Sequence, residues 1–168
     1  MSTQTMAEYR QLGKSGLRVS VPIFGAMSFG DRRWNSWVIE EEQELELLPY
    51  CEYKGIGVVA YSPLLTGLLA RPVGAETDRS KATIGSPFEK KLRESDSKIV
   101  RRVEELAQKK SWSMSHVALA WVASKTTSPI VGLSKVERLD QSITTGKVLS
   151  DEDIKYLEEL YEIQRPRF

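Results

Sequence analysis

Three short apolar runs, alternating along the chain with helical sequence, constrain it more than any other feature. They lie in VPIFGAMSFG (residues 21–30), GIGVVAYSP (55–63) and SPIVGLS (128–134). Ile56, Val58, Val59 and Tyr61 form the kind of continuous apolar run that a parallel sheet buries on both faces. The helical patterns between and after the runs are equally clear. SKIVRRVEELAQKK (97–110) sets Ile99, Val100, Val103, Leu106 and Ala107 on one face. SMSHVALAWVASK (113–125) has Ser113 as cap and Val117, Ala118, Trp121 and Val122 as its buried stripe. KVERLDQSI (135–143) restarts helix with Val136, Leu139 and Ile143 in register, and SDEDIKYLEELYE (150–162) opens on a Ser150–Asp153 capping box. Strand alternating with helix predicts an α/β fold with parallel strands. Three strands make a meagre sheet, with two open edges.

Ahead of these elements, YRQLGKSGLRVSVP (9–22) reads as a hairpin, with Gly13 and Gly16 flanking a Lys14-Ser15 turn. The stretch IEEEQELELLPYC (39–51) is harder to place. It begins as an acidic helix that Asn35 or Ser36 could cap, and it ends near Lys54-Gly55, a usual left-handed stop. Pro49 falls about ten residues in, where a helix interior would lose roughly 3 kcal/mol. Residues 64–95, punctuated by Pro72, Gly74, Gly85 and Pro87, read as a long loop.

The chain has 168 residues and a net charge of +1, with 28% charged residues. That balance gives no long-range attraction to nucleic acid or an anionic membrane. A lone cysteine, Cys51, cannot form an internal disulfide, which suits a reducing compartment. No apolar run approaches the ~18 residues of a membrane span. A cytoplasmic location is expected.

Residue chemistry narrows the function. GIG at 55–57 precedes a strand, whereas a dinucleotide glycine loop follows one, so it reads as a helix exit. One histidine and one cysteine exclude the common metal spacings. His116 is the sole candidate general base, but it sits in a first helical turn opposite Trp121 and reads as a surface histidine. AYSPLLTGLLARP (60–72) places small polar groups, Gly67 and Arg71 at the carboxyl end of a buried strand, where α/β folds bind ligands. IVGLSKVER (130–138) brings Gly132, Ser134, Lys135 and Arg138 to a helix start. Two readings stand level there: an anion site suited to phosphate, or a capped helix with solvated cations.

Together these segments resemble the aldo-keto reductases, most closely their fungal aryl-alcohol-dehydrogenase-like branch. YRQLGKSGLRVSVPIFGAMSFGD is similar to that family's opening hairpin and first strand. LLPYCEYKGIGVVAYSPLLTGLLARP resembles its sixth helix and seventh strand, and SPIVGLSKVERLDQSI its eighth strand and phosphate helix. The resemblance implies an α/β chain built as a partial (β/α)₈ TIM barrel, which when whole needs ~250 residues. It would keep about three parallel strands, the family's first, seventh and eighth, in one truncated domain of residues 1–168 with a join near Gln43 or Glu44. Residues 1–43 would supply the hairpin, first strand and start of the first helix, and residues 44–168 the carboxyl-terminal part. Since strand eight neighbours strand one in a closed barrel, the order expected is seven, eight, one. Ile23, Val58, Val59, Ile130 and Val131 include residues expected on an open inner face, through which the chain could self-associate.

The resemblance also implies an NADP-dependent oxidoreductase reducing an aldehyde or ketone to an alcohol, in a setting such as fungal secondary metabolism. Tyr61 would stack on the nicotinamide. Ser62, Leu64 and Gly67 would follow the pyrophosphate, clamped by Arg79, with Arg71 a weaker candidate. Ser134 and Arg138 would hold the 2′-phosphate, Gln141 and Ser142 would lie near the adenine, and Ala26 and Met27 near the nicotinamide ribose. The family's catalytic Asp, Tyr, Lys and His belong to the segment this chain lacks, so no catalytic residue is assigned and autonomous catalysis is expected to be impaired or absent. The alternatives are a non-catalytic NADP(H)-binding or interaction module, or a degenerate remnant. The partner implied is a small carbonyl substrate, with neither nucleic acid nor membrane.

Overall fold

The computed structural model describes residues 8–12, 14, 16–21, 24–25, 47–86, 92–133 and 136–162. They fall into two units, one built on the chain up to Tyr61 with Lys125–Ile130, the other on Ser62–Ser124 with the stretch from Val131.

In the first unit, β1 (Glu8–Gln11) pairs antiparallel with β2 (Arg18–Val21), Tyr9 opposite Ser20. This is the expected hairpin. Gly16 supplies a φ of 76°, and the Leu12 N–H donates to Leu17 O at 2.7 Å. Helix α1 (Leu47–Lys54) places Pro49 in its first turn, where a backbone N–H has no intrahelical acceptor to lose. The join expected near Gln43 or Glu44 and the cap at Asn35 or Ser36 lie outside the described residues. The helix ends as expected. Gly55 adopts φ 67°, its N–H donates to Glu52 O at 3.0 Å, and the Ile56 N–H donates to Cys51 O at 2.8 Å. Those two bonds form a Schellman motif, and a Cβ there would press on the Tyr9 hydroxyl at 3.0 Å.

The parallel sheet corrects the expected strand order. Strands β3 (Phe24–Gly25), β4 (Val58–Ala60) and β5 (Ser128–Pro129) lie in the order β3-β4-β5. The seventh-strand segment is therefore central, with the first and eighth on opposite edges. In a closed barrel the far edge of strand seven is taken by strand six. Here the first strand pairs with that edge, Phe24 opposite Val58 and Gly25 opposite Val59. Among the described residues the sheets do not close into a barrel. Tyr61 lies beyond the strand, not within it. Val58 is 6% exposed, against the expected open face, whereas Ile130 is 54% exposed.

The second unit is helical. Its core joins α3 (Glu94–Lys110), α4 (Met114–Lys125) and α6 (Asp151–Glu158) through Val100, Val103, Leu106, Val117, Leu149 and Leu157. Helix α3 begins three residues before the predicted start. The expected loop holds two further pieces: a kinked 3-10 segment (Leu65–Ala70) and α2 (Asp78–Thr83). Local capping, with Thr77 Oγ1 accepting from the Ser80 N–H at 3.0 Å, outweighed the loop-like composition. Helix α4 buries Met114, Leu119 and Ala120 beside the predicted Val117, Ala118 and Val122. Trp121 is half-buried, its indole N–H donating to Glu158 Oε1 at 2.8 Å. The helix predicted over 135–143 shrinks to α5 (Glu137–Asp140). Val136, Leu139 and Ile143 are 81%, 52% and 51% exposed, so their periodicity finds no apolar surface to cover. The final helix opens on the predicted capping box, Ser150 with Asp153.

Candidate cofactor site

The chain leaves β4 and enters an unusual backbone. Ser62, Leu65 and Thr66 take φ of 55°, 46° and 58°, and Gly67 takes 97°. For residues with a Cβ this left-handed region costs roughly 1–2 kcal/mol each. Ser62 also precedes Pro63, where the allowed space is already narrowed. Turn bonds hold the conformation: the Leu65 N–H donates to Ser62 O at 2.9 Å and the Gly67 N–H to Leu64 O at 2.8 Å. Strained non-glycine backbone clusters at active sites and ligand clamps, which makes this segment the candidate.

Arg71 follows the kink. Its Nη1 lies 3.7 Å from where a Gly67 Cβ would stand, so the guanidinium rests beside the bare α-carbon. Arg79 lies in the first turn of α2, and its side chain is outside the described residues. Tyr61 is 63% exposed, its ring open to solvent.

The second predicted cluster sits around α5. Arg138 is exposed, and Ser142 Oγ donates to Arg138 O at 2.8 Å, so those two positions are brought together. Gln141 is exposed. Ser134, Lys135, Ala26 and Met27 lie outside the described residues. A helix of four residues carries little macrodipole, so anion affinity here rests on the Arg138 guanidinium. Within the second unit, then, the hydroxyl of Ser62, the half-buried Arg71 and the exposed Arg138 are groups that suit the phosphates of a dinucleotide.

The chemistry for a catalytic acid is different. Tyr50 and Tyr53 are 55% and 65% exposed, and Lys54 Nζ stands 5.8 and 5.3 Å from their ring centroids. That is a surface cation–π stack, not a buried proton donor. His116 departs from the exposed reading. Both ring nitrogens are shielded from water and neither finds a hydrogen-bond partner among the described residues. Burial, reinforced by the charge of Lys147, pushes its pKa below the usual histidine value. Periodicity within α4 marks only the face on which His116 lies, so it missed the shielding that the fold adds.

The model of the aldo/keto reductase family matches residues 24–162. This chain belongs to the aldo/keto reductase family. A Schizosaccharomyces pombe protein bearing an aryl-alcohol dehydrogenase name is 44% identical over 134 residues, covering 74% of this chain and 36% of that protein. Versiconal hemiacetal acetate reductase of Aspergillus parasiticus is 40% identical over 129 residues, covering 74% of this chain and 38% of the reductase. The chain thus spans about a third of the length of the curated relatives it matches. Among solved structures, a glycerol dehydrogenase from Gluconobacter oxydans superposes with a TM-score of 0.56 at 24% identity, over 71% of this chain and 38% of that one, a likeness of fold. No helix among the described residues is long and apolar enough to cross a membrane.

Proposed function

We propose that this aldo/keto reductase chain binds NADP(H) and has the lineage of enzymes reducing an aldehyde or ketone to an alcohol, with turnover by the chain alone impaired or absent. The carrying observation is the left-handed backbone at Ser62 and again at Leu65, Thr66 and Gly67, directly after β4. A bound nicotinamide supplies hydride. Ser62, Leu64, Gly67, Arg71 and Arg79 would hold its pyrophosphate. Arg138, with Ser134, would hold the adenosine 2′-phosphate, Gln141 and Ser142 would border the adenine, and Tyr61 would stack on the nicotinamide.

A carbonyl receiving hydride also needs an acid to quench the alkoxide. No residue of this chain stands in the sequence context of the family's tyrosine, lysine, histidine and aspartate, and the exposed Tyr50 and Tyr53 are poor substitutes. The likeness to a versiconal hemiacetal acetate reductase supports a substrate from fungal secondary metabolism. Buried, free Cys51 suits a reducing compartment, and we place the chain in the cytoplasm. Exposed Ile130 would favour self-association at high concentration.

Titration of the purified chain with NADPH, followed by nicotinamide fluorescence, tests the binding. Saturable binding by the wild type, lost in Arg138→Glu, is expected; no binding by either defeats the reading. Assay with an aromatic aldehyde tests the second half. Robust NADPH consumption would overturn the claim of impaired catalysis.

A further inference from the structure

Trp112 sits where α3 gives way to α4, and its backbone is fixed from both sides. Ser111 takes the left-handed conformation at φ 54°, its N–H donates to Gln108 O at 3.1 Å, and the Trp112 N–H donates to Ala107 O at 2.8 Å. Those two bonds close a Schellman motif that sets Trp112 just past the end of α3. Ser113 then caps α4, its Oγ accepting from the His116 N–H at 3.1 Å. The half-buried indole packs against the helical core. Two ammonium groups stand over it. Lys110 Nζ lies 5.3 Å and Lys147 Nζ 5.1 Å from the ring centroid, both within cation–π range. Lys110 comes from α3 itself and is bonded to Asp153 at 2.7 Å. Lys147, also half-buried, arrives from a turn remote in the sequence.

That turn directly follows the stretch that carries Arg138, Gln141 and Ser142. Backbone bonds shape the stretch: the Leu139 N–H donates to Val136 O at 2.8 Å, the Ser142 N–H to Leu139 O at 2.9 Å and the Ile143 N–H to Asp140 O at 3.2 Å. Ser142 Oγ adds its bond to Arg138 O. All four are local, so they set the shape of the stretch and not its place in the unit. Apolar packing does not set it either, since Val136, Leu139 and Ile143 stay exposed. The chain rejoins the core just beyond. The Lys147 N–H donates to Thr144 O at 2.9 Å, with Gly146 at φ 75°, and this turn delivers Lys147 to the Trp112 ring and Leu149 to the core.

We propose that Trp112 and Lys147 are positioning residues for the adenosine end of the cofactor site: the ammonium on the indole tethers the stretch 136–143 to the helical core. The tether itself stands on the geometry of the ring and the turn; what the stretch binds rests on the cofactor reading above. Neither residue need touch the dinucleotide. A rigid platform, fixed by the Schellman motif before it and the Ser113 cap after it, holds the lysine. The lysine in turn limits how far Arg138 and Ser142 can drift from one placement, so less ordering remains to be done when a ligand arrives. The contact is a modest one, because a partly exposed cation–π pair is weak. It acts on a stretch that carries no buried apolar face of its own, and there a modest contact decides the local opening.

The experiment compares the full-length chain with Lys147→Gln, Lys147→Arg and Trp112→Leu, first by amide hydrogen exchange without cofactor and then by titration with NADPH and NADH. In Lys147→Gln the hydrogen-bonded Ser142 and Ile143 amides should exchange roughly two- to fivefold faster, with the Leu119 amide in the core of α4 unchanged. Trp112→Leu should loosen the same two amides. Lys147→Arg should behave like the wild type, because a guanidinium also stacks on an indole. NADPH affinity should fall in Lys147→Gln by a factor similar to the gain in exchange, NADH affinity should fall less, and Lys147→Arg should restore both. The double variant should be no worse than Lys147→Gln, as expected of two residues acting through one contact. Unchanged exchange in Lys147→Gln beside intact NADPH binding defeats the tether alone. Weaker NADPH binding in Lys147→Gln but not in Trp112→Leu also overturns it, since the lysine would then meet the phosphate itself. Absence of NADPH binding by the wild type would defeat the cofactor reading, and the positioning role with it. If Trp112→Leu fails to fold, the lysine pair decides: equal exchange in Lys147→Gln and Lys147→Arg overturns the proposal.

Discussion

Phe24 stands opposite Val58 in a parallel pair, on the edge of β4 that faces away from Ser128. The first strand thereby occupies the position that a strand six would hold in a complete barrel. An unpaired edge on a central strand leaves backbone donors and acceptors unmet. Pairing with the first strand satisfies some of them without any further chain.

The order is testable by cross-linking. In a Cys51→Ala background, cysteines at Gly25 and Val59 should form a disulfide on mild oxidation, because their Cα atoms are paired. Cysteines at Gly25 and Ser128 should not, since those strands lie on opposite edges. The reverse result, read by mass spectrometry, would restore the order seven, eight, one.

Ser20 joins the hairpin to the entry of β4. Its side chain is 2% exposed, and Oγ accepts from the Gly57 N–H at 2.8 Å. Ser20→Ala should cost about 1–3 kcal/mol by leaving that N–H unmet. Gly57→Ala should also destabilise, because the new methyl would meet Ser20 Oγ at 3.2 Å and Thr127 Oγ1 at 3.4 Å. Urea midpoints check both; a neutral Ser20→Ala would mean that the bond contributes nothing.

Lys110 and Asp153 tie α3 to α6 at 2.7 Å. Burial pushes Asp153 up, but hydrogen bonds from Lys110, the Ser150 N–H and Ser150 Oγ, with the Lys110 charge, hold it below the ordinary carboxylate value. The unfolded chain therefore takes up this proton before the folded one does. The stabilisation is complete above about pH 3.9 and is lost as pH falls through the folded value. Asp153→Asn should lower stability at pH 7 by about 1–3 kcal/mol and flatten the acid limb of the urea midpoint. An unchanged acid limb would assign that limb to other groups.

Arg138 gives the cofactor reading its sharpest split. A charge-assisted bond is worth about 1.5–3 kcal/mol, so Arg138→Ala should weaken NADPH binding by roughly ten- to a hundredfold. NADH, which lacks the 2′-phosphate, should change little. Equal weakening of both would place Arg138 elsewhere on the dinucleotide.

Leu119, 0% exposed in the middle of α4, tests whether the helical unit is a packed core. Leu119→Ala should cost about 2–5 kcal/mol, measured by thermal or urea unfolding. A loss below about 1 kcal/mol would mean that the site is loosely packed.

What the sequence determined by itself was local. The hairpin, the Gly55 stop, the Ser113 and Ser150 caps and the apolar stripe Val100–Val103–Leu106 depend on neighbours within a few residues, and each formed as read. Three things needed the tertiary structure. Periodicity at Val136, Leu139 and Ile143 marks a face but cannot supply the surface that face would cover, and those residues stayed exposed. The edge on which the first strand settles depends on which edges the rest of the chain leaves open, not on Phe24 or Gly25. His116 lies on the polar side of its own helix, yet the fold half-buries it and shields both ring nitrogens, which its position in the sequence does not disclose.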